Sequence, residues 1–130
     1  MFKIQPKTDT FNANVQFKDL DANGRSVSHS IEMELKRLTR KDWDKAIAAS
    51  EPPKDEYGEP VKLVIEDRLE LEADMVFAMV ASWKVQDKDG EPFPMTRENV
   101  IAMLNSYPSL ALAIVNAGGR NLTGELARKN

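Results

Sequence analysis

The chain has 130 residues, 42% hydrophobic and 30% charged, with a formal net charge of −3. That composition fits a single folded domain with one core, and the acidic balance gives no global attraction to nucleic acid or anionic lipid. Cysteine is absent, which excludes disulfides, thiolate metal sites and a thiol nucleophile.

The opening MFKIQPKT lacks the apolar core of a secretory signal, so the expectation is a protein of the cytoplasm. From Thr10, the run TFNANVQFKDL places Phe11, Ala13, Val15 and Phe17 at every second position, the period of a half-buried strand. Asp21-Ala22-Asn23-Gly24 supplies turn chemistry. Ser28 to Lys36 alternates again, with Ile31, Met33 and Leu35 on one side. The two runs predict an antiparallel hairpin over 10–37, and a lone hairpin is stable only when its apolar face packs on something else.

Thr39 is a helix N-cap with Asp42 in the first turn, and Leu38 and Trp43 sit at the staple positions. A short helix over 39–50 follows, then a proline-stiffened loop, EPPKDEYGEP. The spacing of Ile65, Leu69, Ala73, Val76, Val80 and Trp83 predicts a long helix over 61–83. Its start, VKLVI, reads equally well as a short strand. Asp87 to Gly90 is a turn, and Gly90 is placed as its structural anchor. Thr96 caps a helix from Arg97 to about Ser106, and Pro108 keeps Tyr107 out of the helical region. A second apolar helix follows, with Gly118-Gly119 as its stop, so 96–118 reads as helix, proline break, helix. Residues 119–130 read as a flexible tail. The uncharged stretch 99–119 raises the question of a membrane span, but Pro108 and the Asn, Ser and Gly residues interrupt it. The predicted class is α+β: an N-terminal antiparallel β-hairpin packed on about four α-helices, with a helical C-terminal half. No internal repeat is expected.

Candidate chemistry is sparse. Asp19 to Gly24 imitates the start of a calcium loop, yet Ser30 stands where the bidentate Glu belongs. Asp87 and Asp89 have no third ligand nearby in sequence. His29, the one histidine, sits beside two serines and reads as surface. The second helix of the C-terminal pair carries one side chain suited to base edges, Asn116, so it reads as a core or interface helix. The cluster Lys36, Arg37, Arg40 and Lys41 keeps a second reading in play, a small regulatory or nucleic-acid-associated domain. No cofactor, metal or catalytic residue is expected.

Trp83 onward carries a resemblance. An apolar helix leads into VASWKV, then come the turn DKDGEPFP, the capped helix TRENVIAMLNSYP, the apolar helix SLALAIVNA and the tail LARKN. In that order the stretch resembles the tail assembly chaperones of long-tailed phages and prophages. The resemblance implies a non-enzymatic protein that binds the long helical tape-measure protein and keeps it soluble while tube subunits assemble around it. The major tail tube protein is a second implied partner, and self-association is compatible with the role. Such chaperones are often made in two forms through a ribosomal frameshift, and the ending Arg128-Lys129-Asn130 admits a slippery codon set. A client of this kind calls for apolar, adaptable contacts. The candidate contact residues are Met75, Phe77, Met79, Tyr107, Leu110, Leu112 and Ile114, with completion of the core as the equal alternative reading of these apolar positions and several of them expected to be core. Trp83, Gly90, Thr96 and Pro108 are structural anchors.

Overall fold

A computed structural model describes residues 1–123. In chain order the elements are β1 (Thr10–Leu20), β2 (Ser26–Lys36), α1 (Arg40–Ala48), α2 (Ile65–Met79), β3 (Val80–Lys84), α3 (Arg97–Ser106) and α4 (Leu110–Thr123). The class is α+β, with the hairpin and the helical C-terminal half both present.

The strands form one antiparallel sheet in the order β1-β2-β3. Alternation decides which face is buried. Ala13, Val15 and Phe17 on β1 and Ile31, Met33 and Leu35 on β2 turn to the core, while Asn12, Asn14, Gln16, Ser30, Glu32 and Glu34 cover the outer face. The pairing Val15 with Ile31 and Ala13 with Met33 keeps this register. A slip of one residue would bury the amides and carboxylates instead. Helices close the inner face: Ala73, Val76 and Met79 of α2, Val100 and Leu104 of α3, and Leu110, Ile114 and Ala117 of α4 join the strand residues in one hydrophobic cluster.

The expected long helix over 61–83 divides. Helix α2 ends at Met79, and Val80 already has extended geometry (φ −112°, ψ 125°). Val80 to Lys84 instead pairs with β2, setting Trp83 opposite Met33 and Val80 opposite Leu35, with a register shift at Glu34/Leu35. Helical spacing continues through Trp83, but a helix there would leave the second edge of β2 without hydrogen-bond partners, and ladder pairing wins. The VKLVI start forms neither strand nor helix before Ile65.

The second correction concerns the glycine stop. Helix α4 runs through Gly118 and Gly119 to Thr123. A Cβ on Gly118 would stand 2.5 Å from Cζ3 and 2.9 Å from Cη2 of Trp43. The glycine admits an indole against the helix instead of ending it. Of the expected tail 119–130, residues 119–123 are therefore helical, and the remainder lies outside the described residues.

Three turns share one construction. Asp21 with Gly24 and Arg25, Asp55 with Gly58 and Glu59, and Asp87 with Gly90 and Glu91 each close a five-residue loop. In every case the glycine N–H donates to the Asp carbonyl at 3.0 Å, and the Asp Oδ1 accepts two backbone N–H groups at 2.8 to 3.0 Å. The glycines hold φ of 75°, 79° and 81°, the left-handed region that side chains disfavour. The last two share D-x-x-G-E-P, Asp55–Pro60 and Asp87–Pro92, a short repeat that a search for domain-sized periods passes over.

Candidate interaction surface

The acidic turns spend their carboxylates locally. Asp21 Oδ1 accepts from the N–H groups of Asn23 and Arg25, and Asp87 Oδ1 from those of Asp89 and Glu91. Both are Asx-type closures of a hairpin turn. Among the described residues no group of three His, Cys, Asp or Glu side chains could hold a metal ion. His29 rests its ring 5.4 Å from Phe17 and 6.2 Å from Tyr107, with Nε2 4.0 Å from Asp19.

Part of the basic cluster has structural work. Lys36 Nζ donates to the Phe77 carbonyl at 2.8 Å, where the end of α2 has unpaired acceptors. Arg37 donates from Nε to the Thr8 carbonyl at 3.0 Å and lies over the Phe11 ring. Two of the four cations are thus committed to holding the N-terminal segment and the α2 end.

The seven candidate contact residues separate by burial. Met75, Met79, Leu110 and Ile114 are core residues; their side chains join the sheet to the helices, and a partner reaches them only by opening the fold. Phe77 and Tyr107 are half-buried and pack on the same core. Tyr107 meets Phe17 edge-on at 5.5 Å, an arrangement favoured by aromatic quadrupoles. Leu112 alone of the seven is fully presented, 63% exposed on α4. Residues not singled out from the sequence are also exposed: Val61, Val64 and Ile65 around the start of α2, Tyr57 at a turn tip, and Phe2 and Ile4 before β1. The signal for the α2 start was the VKLVI run itself, too apolar for a connection.

The anchors have definite geometry. Trp83 Nε1 donates to the Phe93 carbonyl at 2.8 Å, and the two rings stack at 6.3 Å. Gly90 supplies the positive φ of its turn. Thr96 Oγ1 accepts from Asn99 N–H at 3.2 Å and caps α3. Pro108 lies two residues before the first residue of α4, where Leu110 N–H donates to the Tyr107 carbonyl at 2.9 Å. Arg97 clamps α3 to α2: it reaches Glu70 Oε2 at 2.6 Å and Asp74 Oδ1 at 2.8 Å. The hydrogen bonds it donates to Glu70 first, and then to Asp74, raise its pKa above the ordinary arginine value.

No single described helix is long and apolar enough to cross a membrane; α3 and the first part of α4 pass that test only as a pair, bent by 105°. Among the described residues the surface is thus a polar sheet face on one side and, elsewhere, separate apolar positions on α4, around the start of α2, at the Tyr57 turn and before β1. No curated protein and no solved structure matches the chain. A family model described as phage tail assembly chaperone matches residues 1–128, nearly the whole sequence, and the chain therefore belongs to the phage tail assembly chaperone family.

Proposed function

We propose that this chaperone acts without catalysis, binding the tape-measure protein in the host cytoplasm and keeping it soluble while tube subunits assemble around it. The major tail tube protein is the second partner in this reading. The observation that carries it is Leu112, a large apolar side chain left in water in the first turn of α4, a helix with no charge from Leu110 to Gly119. An amphipathic helical client would cover it, which suits the tail assembly chaperone family to which the chain belongs. Phe77 and Tyr107, half-buried beside the same core, are the further contact residues proposed.

Co-expression with the tape-measure protein tests the reading. Soluble client recovered with the wild-type chain and lost with Leu112→Asp supports it. Client that is equally soluble with the chain, with the variant and with neither sinks it.

A further inference from the structure

The free edge of the sheet has a defined shape. Asp21 N–H donates to the Arg25 carbonyl and Arg37 N–H to the Asp9 carbonyl, so the odd residues of β1 bond to β2, and the even ones direct N–H and C=O away from it. At the two ends those groups have partners: Thr8 Oγ1 donates to the Thr10 carbonyl and Ser109 Oγ to the Lys18 carbonyl. Between them Asn12, Asn14 and Gln16 present backbone donors and acceptors with no partner among the described residues. Beneath this edge α4 projects as a ledge. Ala113, Asn116, Ala117 and Arg120 line, with β1, a groove of about 660 Å³.

The segment before β1 has the complementary character. Phe2 and Ile4 alternate and stand 85% and 90% exposed, so the described residues of their own chain do not cover them. Pro6 ends the part able to pair, and Arg37 holds Thr8 at the far end of β2. In an added strand, Phe2 and Ile4 would face the ledge, where alanines leave room. Lys3 would face the outer surface of the sheet, which carries Glu32 and Glu34 opposite Asn14 and Asn12. Glu34 has only the Thr10 hydroxyl, at 3.3 Å, as a described partner.

We propose that the N-terminal arm of a second copy adds as a strand to the Asn12–Gln16 edge, seating Phe2 and Ile4 over the α4 ledge. Strand addition joins backbone bonding to alternate side-chain pockets, and it covers an edge that would otherwise template indiscriminate pairing. The contact is between copies of this chain and is independent of the client reading.

Sedimentation velocity on the full chain, over a range reaching tens of micromolar, reads it. The wild type associates with concentration. The arm variant Phe2→Asp/Ile4→Asp and the edge variant Asn14→Pro each weaken association roughly tenfold or more, with unchanged far-UV spectra. Asn14 directs its N–H outward, so proline there costs no ladder bond; Gln16→Pro, on the same side, replaces it if the spectrum is lost. Mixing the two variants restores association, because one retains the edge and the other the arm. A wild type that stays monomeric overturns the proposal, as do variants that associate normally or a mixture that does not complement. Loss of client by the variants from a monomeric wild type would assign the edge to the client and overturn it equally.

Discussion

Gly118 in α4 lies under the indole of Trp43 in α1, so close that a single methyl would overlap two ring carbons. The contact ties the C-terminal helix to the first one, across most of the chain. Two effects oppose each other at this position. Alanine would favour the helix by about 1 kcal/mol over glycine, but overpacking a fitted contact costs about 1–3 kcal/mol. Gly118→Ala is therefore expected to lower the urea midpoint. In a Trp43→Leu background the obstruction is gone, and the same change should raise the midpoint. Additive effects in that double-mutant cycle would show that the two residues do not meet.

Arg97 offers a test of how α3 is held. Its guanidinium forks between Glu70 and Asp74, which a lysine cannot reproduce. The groups are about half exposed, so screening limits the effect, and Arg97→Lys should cost about 0.5 kcal/mol. The loss should shrink as salt is added. The raised pKa of Arg97 gives a stabilisation fully present below the ordinary arginine value and lost only as pH climbs beyond the shifted one. Across the neutral range the difference between wild type and variant should stay flat because of this group. A steep change there in the wild-type-minus-variant midpoint would contradict that assignment.

Leu110 and Leu112 stand two positions apart on one helix with opposite environments, 1% and 63% exposed. Leu110→Asp should abolish cooperative unfolding, since it buries an unpaired carboxylate in the core. Leu112→Asp should change the midpoint by no more than about 0.5 kcal/mol while removing client solubilisation. If both variants unfold, Leu112 belongs to the core and its place in the binding reading is lost.

Trp83→Phe keeps an aromatic ring against Phe93 but removes the Nε1 donor to its carbonyl. A part-buried acceptor left without its partner costs about 1 kcal/mol. Equilibrium denaturation measures it, with Trp43 remaining as the fluorescent reporter. An unchanged midpoint would mean that water replaces the bond at no cost.

The hairpin was legible because alternation on β1 and β2 is strict and the Asp21–Gly24 turn is punctuated by a left-handed glycine. The caps at Thr39 and Thr96 were legible for the same local reason: a hydroxyl three residues before an N–H that needs an acceptor. What sequence reasoning missed depended on distant partners. Val80 to Lys84 carries a helical stripe and is strand only because β2, some fifty positions earlier in register, has an edge to fill. Gly118 reads as a terminator until Trp43 is brought against it. Met75 and Met79 read equally as surplus apolar surface or as core, and they are core, since α2 is covered by the sheet on one side and by α1, α3 and α4 on others. Local chemistry was readable; which element lies opposite was not.

The passage from α2 to β3 contains no connecting residue, Met79 closing the helix and Val80 opening the strand. Such a joint has no slack. An axial displacement or rotation of α2 is handed to the strand that continues it, which pairs with β2 across the irregularity at Glu34/Leu35 and beside the Lys36 bond to Phe77. Helix and strand thus form one lever. Their amides should exchange with solvent as a single unit, and a load applied to the helical surface is felt at the far side of the sheet.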